Sequence, residues 1–72
     1  MTRRISTIRV NGRSEPLAAA TLMALLEQRD IPAGARGVAV AVNGAVVPRA
    51  DWAATRLNAD DSIEIVRARQ GG

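Results

Sequence analysis

Seventy-two residues make one domain, near the size at which a single core is only just adequate and about 60% of the unfolded surface can be buried. The chain has no Cys and no His, which excludes disulfides, zinc sites of the usual kind, thiol nucleophiles and imidazole bases. Its net charge of +3 comes from ten Arg scattered among seven acids; they form no basic stripe, and with Trp52 as sole aromatic the stacking platform of single-strand nucleic-acid binders is missing.

"ISTIRVNGRSEPL" opens with Ile8 and Val10 on one face and Thr7 and Arg9 on the other, then reaches Asn11-Gly12. Both central residues of a type I′ hairpin turn need φ > 0, and Asn-Gly meets that need best. The pattern predicts a first strand over Ile5 to Val10 and a second over Arg13 to Leu17, shortened at Pro16, which has no N–H for a ladder. "AATLMALLEQRD" places Leu22, Leu25 and Leu26 at helical spacing, so a helix is expected from Thr21 to Arg29, with Thr21 at its start and Arg29 suited to the C-terminal dipole. Pro32, Gly34 and Gly37 then dictate a loop.

"VAVAVNGAVVP" alternates Val38, Val40 and Val42 with Ala39 and Ala41 and meets a second Asn-Gly pair at Asn43-Gly44. This is the clearest strand, and its alanine face is either covered by a neighbour or a flat surface on which another protein can lie. Val46 and Val47 form a short return strand ended by Pro48. "RADWAATRLNADD" offers Asp51 as cap to a helical turn over Trp52 to Thr55, with Trp52 and Leu57 as packing residues and a polar turn at Asn58 to Asp61. "SIEIVRAR" is the last strand, with Ile63 and Ile65 inward and Glu64 and Val66 outward. Asp60, Asp61 and Glu64 read as turn chemistry and solvated charge, and no metal site is expected.

The order of elements is that of an α+β domain, with a mixed sheet of four to five strands and one main helix packed across it. Val, Ile, Leu, Met and Trp52 supply the core, because Phe and Tyr are absent and alanine contributes little. The twin arginine of "MTRRISTIRV" is not followed by an apolar stretch, so no export signal or membrane segment is expected, and a cytoplasmic location is. The chain is divided into a domain over residues 1–66 and a flexible tail over 67–72, since two glycines and no apolar anchor after Ala68 favour mobility.

"IRVNG", "TLMALL", "VAVAVNGAVVPRADW", "LNADDSIEIVRA" and the final Gly-Gly, in this order, resemble the ThiS family of sulfur carriers in thiamin biosynthesis. The similarity covers nearly the whole chain. It implies a ubiquitin-like (β-grasp) fold with the first and last strands parallel in the centre of the sheet. Two positions depart from the family pattern: Asp60-Asp61 stands where Gly-Asp is usual before the last strand, and Gln70 stands where many members have a third glycine or an apolar residue.

The resemblance implies a carrier rather than an enzyme, with no catalytic side chains and no cofactor bound by the domain itself. Its reactive group is the α-carboxylate of Gly72, ionised at pH 7 because its reference pKa is about 3.3 to 3.7, and therefore a poor electrophile until activated. In the family a ThiF-like adenylyltransferase uses ATP to form an acyl-adenylate. Sulfur from a persulfide donor, of the cysteine desulfurase or rhodanese type, then displaces AMP to leave a thiocarboxylate. A ThiG-like thiazole synthase takes that sulfur, with deoxyxylulose phosphate and a glycine-derived imine. The tail is Arg67, Ala68, Arg69, Gln70 and Gly71 before Gly72; glycine has no Cβ and can enter a narrow channel. If Val66 is the last paired residue, the six beyond it span at most roughly 20 Å. Arg67 and Arg69 are available to acidic groups or phosphate of a partner, or are simply solvated. Glu64, Val66, Ala39 and Ala41 are the expected partner-binding residues. Readings left open are a Gly-Gly sulfur carrier of another pathway, such as MoaD-like carriers for molybdopterin or carriers for cysteine synthesis; a protein modifier; and a protein- or RNA-interaction module.

Overall fold

Two Asn-Gly turns and one long crossover build the sheet. The computed structural model describes residues 6–68. Strands β1 (Thr7–Val10) and β2 (Arg13–Pro16) pair antiparallel around Asn11-Gly12, whose φ values of 52° and 82° are both left-handed. Strands β3 (Val38–Val42) and β4 (Ala45–Val46) repeat the device around Asn43-Gly44, at 52° and 86°. Strand β5 (Ser62–Arg67) lies between the hairpins, parallel to β1 and antiparallel to β3, giving the order β2-β1-β5-β3-β4. The first and last strands are therefore parallel neighbours inside a mixed sheet, as the family resemblance implies.

Helix α1 (Leu22–Gln28) crosses one face. It is shorter than the expected Thr21–Arg29 because the end residues are caps: the Thr21 side chain accepts a 3.2 Å hydrogen bond from the Ala24 N–H, and Arg29 is the C-cap. The Arg29 guanidinium also pairs with Glu15 of β2 and ties the helix to the first hairpin. Leu22, Leu25 and Leu26 are buried and meet Ile8, Val40 and Ile63 from the sheet.

The second helical piece differs more from expectation. A 3₁₀ helix spans Arg49–Ala54, with Pro48 rather than Asp51 at its cap. Pro48 presets the backbone at φ −60°, its carbonyl accepts from the Asp51 N–H at 2.8 Å, and Asp51 falls in the first turn. Trp52 is 1% exposed, and its indole N–H donates to the Val47 carbonyl at 3.0 Å, which satisfies the one polar atom that burying a tryptophan strands. Arg49 stacks over its ring at 5.0 Å from the centroid. Trp52 is thus a packing residue.

Four strand limits also move. Strand β1 begins at Thr7, with Ser6 outside the ladder and the expected first residue, Ile5, outside the described residues. Strand β2 ends at Pro16, although the Leu17 N–H still donates to the Ser6 carbonyl at 2.9 Å. The return strand is Ala45–Val46 rather than Val46–Val47, because a two-residue turn forces Val42 opposite Ala45. Strand β5 continues through Arg67, paired with Val38, one residue past the boundary drawn after residue 66.

Candidate functional site

Side chains alternate across a strand, so the face of the sheet away from α1 can be read from register. On β5, Ile63 is fully buried while Glu64 and Val66 are exposed. On β3, Val40 is buried, Ala39 is exposed and Ala41 half-buried. Opposed residues of antiparallel strands project to the same side. Ala39 lies opposite Val66, and Ala41 lies opposite Glu64 on one flank and Val46 on the other. The structure therefore brings Glu64, Val66, Ala39 and Ala41 together on one outer face.

Val46 completes that face. It is 75% exposed and Val66 is 63% exposed, and the two alanines of β3 lie between them. Two exposed valines flanking methyl groups leave an apolar surface that water solvates poorly. Val46 was legible from the turn: once Asn43-Gly44 is a two-residue loop, Ala41 must oppose Val46.

Arg67 does not share this face. It follows Val66 on the strand and opposes the half-buried Val38, so it projects to the helix side, at the exposed end of the sheet. Beyond it, the Ala68 N–H donates to the Gly37 carbonyl at 2.6 Å. The chain is thus still held to β3's approach at residue 68. Counted from Ala68, four residues span at most roughly 14 Å, against the roughly 20 Å expected from Val66. Arg69, Gln70, Gly71 and Gly72 lie outside the described residues.

The acidic turn before β5 has structural partners. Asp61 accepts from the Asn58 N–H at 2.8 Å and from the Asn43 side-chain amide at 2.9 Å, while the Asp60 N–H donates to the Thr7 carbonyl at 2.7 Å. These contacts fix where β5 begins. No helix among the described residues is long and apolar enough to cross a membrane.

The model of the ThiS family matches residues 8–72. A solved structure similar to this chain is that of the thiamine biosynthesis protein ThiS from Geobacter metallireducens, 29% identical in sequence. The two superpose with a TM-score of 0.73 over 92% of this chain and 99% of the other. No curated protein sequence matches significantly.

Proposed function

The chain belongs to the ThiS family, and from that premise we propose that it carries sulfur for thiamin biosynthesis as a thiocarboxylate on the α-carboxyl group of Gly72. The observation that carries the reading is the family match, which runs through Gly72. The apolar outer face beside the end of β5 supports it, since a carrier needs a surface by which a partner holds the body while the tail reacts.

In this reading a ThiF-like enzyme binds the body through Val46, Ala41, Ala39, Val66 and Glu64. The Gly72 carboxylate attacks the α-phosphorus of ATP, and pyrophosphate leaves. The terminal sulfur of a persulfide attacks the acyl carbon, AMP leaves, and a thiol cleaves the resulting S–S bond to free the thiocarboxylate. At neutral pH that group is an ionised, soft nucleophile, suited to delivering sulfur to a ThiG-like thiazole synthase. The ATP is consumed by the activating partner, and the reaction is placed in the cytoplasm.

The test is incubation with ATP, a ThiF-like enzyme and a persulfide donor, followed by intact mass spectrometry. The expected product is heavier by the replacement of one oxygen by sulfur, located at Gly72. No such product, where a known carrier reacts, overturns the reading. Gly72→Ala keeps the carboxylate but adds a Cβ in the channel, and adenylation is expected to fall by about tenfold or more. Adding thiazole synthase with deoxyxylulose phosphate and a glycine imine separates this pathway from others: thiazole forms here, whereas a carrier of another pathway is thiocarboxylated without yielding it.

A further inference from the structure

Of the described glycines, Gly37 alone lies close to another part of the chain. Gly12 and Gly44 occupy hairpin turns with φ of 82° and 86°, but a Cβ at either would meet nothing within 4 Å, and the same is true of Gly34. At Gly37 φ is 70°, and a Cβ would stand 3.3 Å from the Ala68 Cβ and 3.4 Å from the Ala68 carbonyl oxygen. The same residue accepts the 2.6 Å hydrogen bond from the Ala68 N–H. Gly37 thus holds Ala68 by its carbonyl and makes room for it by lacking a side chain.

We propose that Gly37 is a positioning residue for the reaction at Gly72: with Ala68 it forms a backbone latch that sets the point and direction in which the C-terminal segment leaves the sheet. This rests on the carrier reading above. The reason is reach. Gly72 is the fourth residue beyond Ala68, at most roughly 14 Å of chain away, so the partner's reacting atoms must come within that distance of Ala68. A segment that short has little slack with which to absorb a shift at its root, and misplacement by about 1 Å at a reacting group can cost on the order of a hundredfold in rate.

Gly37→Ala perturbs the latch twice, by left-handed backbone strain and by the 3.3 Å contact. Activation of the full chain by a ThiF-like enzyme is measured as pyrophosphate release, together with amide exchange of the free protein. In Gly37→Ala the core amides of Leu25 and Ile63 keep their protection while that of Ala68 loses it. The kcat falls by about tenfold to a hundredfold, with KM within about twofold, because the body still docks and only the tail is misdirected. Ala68→Gly added to Gly37→Ala removes the facing methyl and restores part of kcat, whereas Gly34→Ala changes nothing.

A folded Gly37→Ala protein with the parental kcat, or with a raised KM alone, overturns the latch. If Gly37→Ala does not fold, Ala68→Pro removes the donating N–H and leaves Gly37 in place; the same loss of kcat is expected, and a parental kcat overturns the proposal. Failure of the unsubstituted chain to release pyrophosphate counts against the carrier reading instead. The Ala68 amide needs no partner: rapid exchange of that amide in the unsubstituted protein overturns the latch by itself.

Discussion

Asp60 occupies the left-handed region at φ 70°, where a side chain costs energy that glycine avoids and where Asp and Asn are the better tolerated alternatives. This accounts for the family's Gly-Asp at the position where Asp60-Asp61 stands here: the turn into β5 needs positive φ at its first residue. The Asp60 carboxylate has no hydrogen-bond partner among the described residues, unlike Asp61, which caps the turn at Asn58. Asp60→Gly is expected to stabilise the domain by about 0.5 to 1 kcal/mol, the strain relieved exceeding the added freedom of the unfolded chain. Urea unfolding checks it, and a fall in the midpoint contradicts it. The acidic character of this turn was legible in the sequence. Its backbone conformation was not, because nothing in the composition of Asp60-Asp61 requires positive φ.

At the level of elements, the two Asn-Gly turns do more than reverse the chain. The Asn11 Oδ1 accepts from the Ile65 N–H at 2.8 Å, and the Asn43 Oδ1 accepts from the Ser62 N–H at 2.9 Å. The Asn43 amide also donates to Asp61. Both turns therefore clasp β5, which arrives from the far end of the chain, and the residues chosen for local φ also secure a distant strand. Asn43→Gly preserves the turn and removes only the side-chain bonds, so it should cost about 1 to 2 kcal/mol. Asn43→Ala should cost about 1 to 2 kcal/mol more, because φ is 52° there. Comparing the two by denaturant titration separates clasp from turn: equal losses would mean that backbone strain plays no part. The hairpins were predictable from Asn-Gly and alternation alone, whereas the clasp depends on β5 lying between them.

For the molecule as a whole, one face of the sheet is closed by α1 and the 3₁₀ helix around Trp52, and the other carries Val46 and Val66 in the open. Replacing both valines by Arg removes no core contact, so thermal stability should change by less than about 1 kcal/mol. The KM for activation by a ThiF-like enzyme should rise by about tenfold or more, since a charge at the centre of an apolar contact must be desolvated. An unchanged KM would remove this face from the partner interface. Four residues of the face follow from alternation in β3 and β5, and Val46 follows only when the turn register is carried through to β4.

Local rules determined most of this protein from its sequence. Left-handed turns at Asn-Gly, the inward and outward sides of each strand and the apolar stripe of α1 are properties of adjacent residues. The Gly71-Gly72 pair on which the proposed function rests is likewise visible in the residues themselves. Tertiary structure decided what residues far apart in sequence do to one another. The parallel pairing of β1 with β5 came from the resemblance and not from periodicity. The Arg29–Glu15 pair, the two asparagine clasps and the approach of Gly37 to Ala68 had no local signal. Periodicity states which side of a strand faces the core, but the neighbour of each strand is selected by how the shared core packs, and that exists only once the chain has folded.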